Sequence, residues 1–249
     1  MTRVRSAPPL LLLLHGLGGN RHVWQGLGEL LPQRWPGDWL APDLPGHGAA
    51  APLPRYSFGA MAAALAERLP RDRPVAVLGH SLGGALALTL ASGWFGVRVM
   101  AACGLGIKVR WSAAELAKAG ELAAAPARSF GTREEAVRRW LRVSGLTDLV
   151  AAGSPAARAG VTGGDGAWRL ALDQGAFGVG APDMPGLLGA ARADVVLAAG
   201  EHDPMCPVEH LWDLRADHVV LPGLGHNAHV EDPAALLPVL DRLVSEERG

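Results

Sequence analysis

Three residues of this 249-residue chain, Ser81, Asp203 and His226, have the types and settings needed to activate a hydroxyl for attack on a carbonyl. A serine hydroxyl is a weak nucleophile until a positioned base takes its proton, and the base in turn needs a group that fixes its tautomer. Ser81 stands in Gly79-His80-Ser81-Leu82-Gly83, with Gly84 next; the apolar run 75–78 precedes it and a helical pattern follows. A serine at a tight strand-to-helix turn takes a strained backbone conformation, and glycine on both flanks avoids clashes. Its hydroxyl then projects beside a helix N-terminus, whose free N–H groups can stabilise negative charge. With 33 glycines a chance match is the plain alternative, but the pattern occurs once and in the required context. His226 closes Leu221-Pro222-Gly223-Leu224-Gly225-His226, and Asp203 lies in Ala198-Ala199-Gly200-Glu201-His202-Asp203-Pro204. Alone, a loop histidine reads as a solvated surface group and an aspartate before proline as a turn former. Loops at the C-terminal ends of strands in one sheet converge, which makes these three a candidate constellation.

The elements that must position them follow from short apolar runs alternating with helical patterns. Strand candidates are Leu10–Leu14, 39–41, 75–79, 97–103, 195–199 and His218–Leu221; helix candidates lie at 24–31, 58–69, 82–92, 208–214 and 234–245. Continuously apolar strands between helices indicate an α/β fold, a mostly parallel sheet of about six strands with helices on both faces. Residues 104–180 break the rhythm. They show no convincing β-type run, but helical patterns at 113–125 and 133–144, then a Gly/Ala-rich stretch around 160–166. This is read as an α-helical cap inserted after the strand ending near Cys103, dividing the chain into a core (1–103 and 181–249) and a cap (104–180). The cap holds Trp111, Trp140 and Trp168, with Phe130 and Phe177. Aromatics at helical spacing are more often packing than ligand contacts.

In chain order the constellation runs Ser81, Asp203, His226, the order of the α/β-hydrolase superfamily, and the chain resembles that superfamily over almost its whole length outside the cap. His15-Gly16-Leu17-Gly18-Gly19 resembles the family's oxyanion loop, Pro42-Asp43-Leu44-Pro45-Gly46-His47-Gly48 the loop after the next strand, and Gly225-His226-Asn227-Ala228-His229-Val230-Glu231-Asp232-Pro233 the surroundings of the catalytic histidine. The resemblance implies a nucleophilic Ser81, His226 as base, Asp203 orienting it, and an oxyanion hole from the backbone N–H groups of Leu17 and Leu82. His80, Trp111, Trp140 and Met205 are expected at the substrate pocket; His80, Met205 and Cys206 lie near the chemistry without acting in it, and His229 and Glu231 are structural. Two departures stand out. The first strand starts near Leu10, leaving no room for the usual N-terminal strand pair, and no acidic residue follows the 97–103 strand, where some members carry the triad acid.

The resemblance implies a serine hydrolase that cleaves an ester or thioester of a small to medium, largely apolar acyl group through an acyl-enzyme. The same triad serves carbon–carbon bond hydrolysis, elimination and acyl transfer elsewhere in the superfamily, and the compact size and HGLGG loop resemble the branch with the menaquinone-pathway lyase and the meta-cleavage-product hydrolases. Oxidation by a peracid route is a lesser alternative. A non-catalytic ligand-binding homologue is disfavoured because no triad member is missing. Composition narrows the classes further. Hydrophobic residues make up 49% and the formal net charge is −1, with 23 basic and 24 acidic residues well mixed, so neither nucleic acid nor an anionic membrane is an expected partner. A small-molecule substrate is; oligomeric state has no sequence signal. No cofactor or metal is assigned, since the nine histidines show no ligand spacing. Arg3 and Arg5 before Leu10–Leu14 faintly resemble a signal peptide, but five leucines ending at His15-Gly16 are short of one. With two cysteines, Cys103 and Cys206, the expectation is a soluble, cytoplasmic protein.

Overall fold

The computed structural model describes residues 8–214 and 218–244, so Arg3, Arg5 and Ser245 lie outside the described residues. The chain begins with β1 (Leu10–Leu14), α1 (Gln25–Arg34), β2 (Trp39–Leu40), α2 (Phe58–Ala66), β3 (Val75–His80), α3 (Leu82–Ala91) and β4 (Val99–Leu105). Next come α4 (Ala113–Ala124), α5 (Arg133–Val143), α6 (Pro155–Ala159), β5 (Val161–Gly164), β6 (Ala167–Leu170) and α7 (Met184–Ala190). It returns through β7 (Asp194–Gly200), α8 (Val208–Trp212), β8 (His218–Leu221), α9 (Ala228–Glu231) and α10 (Leu237–Val244).

Six strands form one sheet in the order β2-β1-β3-β4-β7-β8, each neighbouring pair parallel. The alternation of side chains along a strand explains why the runs are apolar throughout. Leu10, Leu12 and Leu14 enter a core with α2 and α3, while Leu11 and Leu13 enter a second core with α1 and α10. Val75 and Val77 split from Ala76 and Leu78 in the same way. The sheet therefore has helices on both faces, as expected. The order reverses between β1 and β3, and a parallel sheet opens a crevice at its C-terminal edge at such a point. The loops after β1 and β3, carrying Leu17 and Ser81, flank it.

The segment between β4 and β7 differs from its reading in one respect. It contains an antiparallel hairpin, β5 with β6, in addition to helices. Asp165 and Gly166 both have positive φ, 50° and 77°, the two-residue turn that matches the twist of a hairpin. The segment is fastened to the sheet side at several points. The Asn20 amide donates to Ala156 O at 2.9 Å, Gly48 N–H to Ala171 O at 2.8 Å, Asp173 N–H to Gly46 O at 2.8 Å, and the Tyr56 hydroxyl to Asp173 Oδ2 at 2.9 Å. By contrast, α4 has no buried residue. It is closed at its start by a reciprocal cap between Ser112 and Glu115.

Candidate active site

Ser81 sits between the end of β3 and the start of α3 with φ 51° and ψ −114°. This is left-handed backbone that side chains rarely adopt, and it is held because the neighbourhood allows little else. Its N–H donates to Leu105 O at 2.8 Å, tying the turn to β4. A Cβ at Gly79 would stand 2.0 Å from Gly83 O, and one at Gly83 2.2 Å from Leu14 O, so both flanks must be glycine. Leu82 opens α3, and the first N–H groups of a helix have no acceptor within it.

His226 Nδ1 lies 2.9 and 3.0 Å from the two carboxylate oxygens of Asp203. A carboxylate accepts, so Nδ1 carries the proton and Nε2 keeps its lone pair. Asp203 is buried, and its Oδ1 also accepts the N–H groups of Met205 at 2.8 Å and Cys206 at 3.1 Å. The loop bearing His226 is clamped by Glu231, whose carboxylate accepts from Gly225 N–H at 2.7 Å and Asn227 N–H at 3.1 Å, the two neighbours of the imidazole residue. After β4 stands Gly106 with φ 61°, and a Cβ there would meet Asp203 Oδ2 at 3.0 Å and His226 Nδ1 at 3.4 Å. The place after that strand packs on the Asp203–His226 pair.

Ser81, His226, Leu17 and Leu82 line one cavity of about 700 Å³. Of the residues expected at the pocket, His80, Trp111 and Met205 line it as well. Trp140 lies elsewhere: it is buried in the second core, and its indole N–H donates to Gly18 O at 2.8 Å. Phe177, named above only as a cap aromatic, lines it too, and further lining residues were not singled out in the sequence, namely Leu116, Ala119 and Leu122 on one face of α4, with Lys108. The three-residue spacing of the α4 positions was the available signal. Lys108 pairs with Glu115 and stands 4.9 Å from the centroid of Trp111, whose indole donates to Lys108 O at 3.0 Å.

Several histidines back the site. His80 Nε2 donates to His226 O at 2.8 Å, and its ring packs against His226 at 4.6 Å and His229 at 4.3 Å. His229 also lines the cavity and packs on Trp24 at 4.5 Å, which extends its structural reading. Burial drives His80 well below the ordinary 6.5, helped by the neighbouring His229 and His226, and holds His229 at about 3, so both are neutral at physiological pH. His15 is buried behind the cavity; its Nε2 accepts from Leu44 N–H at 2.9 Å, and burial holds it at about 4. Cys206 is buried, which with the charge of Asp203 pushes its thiol up to about 12 and leaves it without thiolate character. Among the described residues no helix is long and apolar enough to cross a membrane, and no group of three or more His, Cys, Asp or Glu could hold a metal ion.

The sequence model of the Alpha/beta hydrolase family matches residues 11–239. A pimeloyl-[acyl-carrier protein] methyl ester esterase of Neisseria meningitidis is 46% identical over 80 residues, 32% of this chain and 24% of that protein. The matched stretch is thus about a quarter of that relative's length. Among solved structures, the thioesterase domain from the curacin biosynthetic pathway superposes with a TM-score of 0.73 at 22% identity, covering 94% of this chain and 91% of the other. E-2-(acetamidomethylene)succinate hydrolase gives 0.77 at 22% identity, covering 96% and 92%. At such identities these two structures speak for the fold.

Proposed function

The chain belongs to the alpha/beta hydrolase family, and from that premise we propose that it is a serine hydrolase cleaving an ester or thioester of a small to medium, largely apolar acyl group. The observation that carries the reading is the meeting of Ser81, on its strained turn, with His226 on one cavity, the imidazole oriented from behind by Asp203. In this mechanism Ser81 Oγ attacks the substrate carbonyl while His226 Nε2 takes the hydroxyl proton. The tetrahedral oxyanion is held by the N–H groups of Leu17 and Leu82. Collapse breaks the bond to the alcohol or thiol, which leaves with the proton from His226, and water repeats the sequence to free the acid and Ser81.

Residues 104–180 act as a cap. Its α4 supplies the apolar wall through Leu116, Ala119 and Leu122, and Trp111 and Met205 complete the pocket for the acyl group. One relative is named for the methyl ester of a pimeloyl group, and an acyl ester of that medium length suits a cavity of about 700 Å³. The substrate is a small molecule. Two free, buried cysteines fit a reducing compartment, and the cytoplasm is the proposed location. The test is hydrolysis of a panel of p-nitrophenyl esters and acyl thioesters of graded chain length. Turnover that peaks at short to medium chains and disappears in Ser81→Ala supports the reading; no turnover of any member by folded wild-type protein refutes it.

A further inference from the structure

The loop after β1 contains a chain of hydrogen bonds that leads from the cap to the oxyanion hole. The indole N–H of Trp140 donates to Gly18 O at 2.8 Å. The N–H of the same peptide unit, on Gly19, donates to Gly16 O at 3.0 Å. The N–H of that next unit belongs to Leu17. Every peptide bond among the described residues is trans, so C=O and N–H of one unit point in opposite directions. With Gly16 O turned inward to its donors, the Leu17 N–H is turned away from them.

A second donor reaches the same oxygen. His15 Nδ1 lies 2.9 Å from Gly16 O. Its Nε2 accepts from Leu44 N–H, an obligatory donor, so the proton of the neutral ring is on Nδ1 and is given to Gly16 O. The loop also touches the nucleophile: a Cβ at Gly16 would stand 3.3 Å from the Ser81 Cβ. Consecutive hydrogen bonds in a buried setting polarise one another, so the last N–H in the chain becomes a stronger donor as well as a better aimed one.

We propose that Trp140 and His15 are positioning residues for the oxyanion hole, acting through the Gly18–Gly19 and Gly16–Leu17 peptide units to orient and strengthen the Leu17 N–H. The inference rests on the reading of Ser81 as the acylated nucleophile. It gives Trp140 a task 122 residues away from its own position in the chain, and makes the cap part of the catalytic apparatus. Neither side chain touches the substrate in this account.

The test replaces Trp140 by 3-benzothienylalanine, which puts sulfur where the N–H was and keeps the ring's shape, and compares His15→Asn with His15→Gln. Asparagine can keep a donor near the Nδ1 position; glutamine places its amide near Nε2 and leaves Gly16 O without that donor. Kinetics on a short-chain p-nitrophenyl ester are paired with inhibition by the trifluoromethyl ketone of the same acyl chain, whose adduct places an oxyanion in the hole. Losing a donor outright costs about 10²–10³ in kcat, and losing its alignment should cost roughly tenfold. The expected result is that fall in kcat for the benzothienyl variant and His15→Gln, with KM within about twofold, a ketone Ki that rises in step, and His15→Asn close to wild type. Wild-type kcat and Ki in the benzothienyl protein, or equal losses in the two His15 variants, would overturn the relay. If the His15 variants do not fold, the benzothienyl protein decides alone. A wild type that neither hydrolyses the ester nor forms a ketone adduct at Ser81 would instead bring down the hydrolase reading, and the relay with it.

Discussion

At Ser81 backbone stability opposes the proposed function. Its φ of 51° and ψ of −114° suit glycine, and a side chain there costs about 1–3 kcal/mol. Ser81→Gly is therefore expected to abolish turnover while raising Tm by roughly 2–4 °C, as about 1 kcal/mol does in a chain of this size. A melting curve in which Tm is unchanged or lower contradicts the strain. Asp203→Asn tests the orienting acid. Oδ1 serves the N–H groups of Met205 and Cys206, so the new amide keeps its oxygen there and turns NH2 toward His226. That donor demands the opposite imidazole tautomer, and kcat should fall by about 10⁴-fold with little change in Tm; a loss under tenfold would remove Asp203 from the mechanism. The proposed triad was legible in the sequence because serine, histidine and aspartate are the side chains such chemistry needs and because glycine and proline mark the loops that hold them. His15 and Glu231 were not legible as working parts. Both act on backbone groups, and a side chain that orients a peptide leaves no signature in residue type.

The six strands were legible as short apolar runs, the inner ones buried on both faces, and two of the six, Leu10–Leu14 and His218–Leu221, have the expected ends. The hairpin of β5 and β6 was missed although Asp165-Gly166 carries its turn, since Val161–Gly164 offers two glycines and no alternation to mark a strand. Helix α4 was visible from its spacing, but the face it turns to the cavity is marked only by Leu116 and Leu122, while alanine runs around the whole helix. It has no buried residue, so in the proposed function its hold on the acyl group rests on Leu116, Ala119 and Leu122. Leu122→Ala and Leu116→Ser should raise KM several-fold for a medium-chain ester while leaving kcat for an acetyl ester near wild type. Equal losses on both substrates would mean that α4 does not line the acyl site.

The whole molecule places the proposed site at the point where strand order reverses and backs it with neutral, buried histidines. Burial lowers His15 to about 4 and His47 and His229 to about 3, against 6.5 when exposed in the unfolded chain. A depressed folded value means the unfolded chain takes up protons first, so stability is complete above pH 6.5 and is lost as pH falls toward the folded values. Each such histidine forfeits about 1.4 kcal/mol per pH unit in that window, and the three together on the order of 4 kcal/mol per unit. Urea melts from pH 7 to pH 5 should show the midpoint dropping steeply, and a flat profile would contradict the neutral histidine backing. Whether this fold assembles an activated serine is decided by reaction with a fluorophosphonate followed by mass spectrometry of the labelled peptide, with His226→Ala as control. Stoichiometric labelling at Ser81, lost when the imidazole is removed, is the predicted result. Folded protein that leaves Ser81 unlabelled, or that labels equally without His226, would mean that Ser81 is not activated by this imidazole.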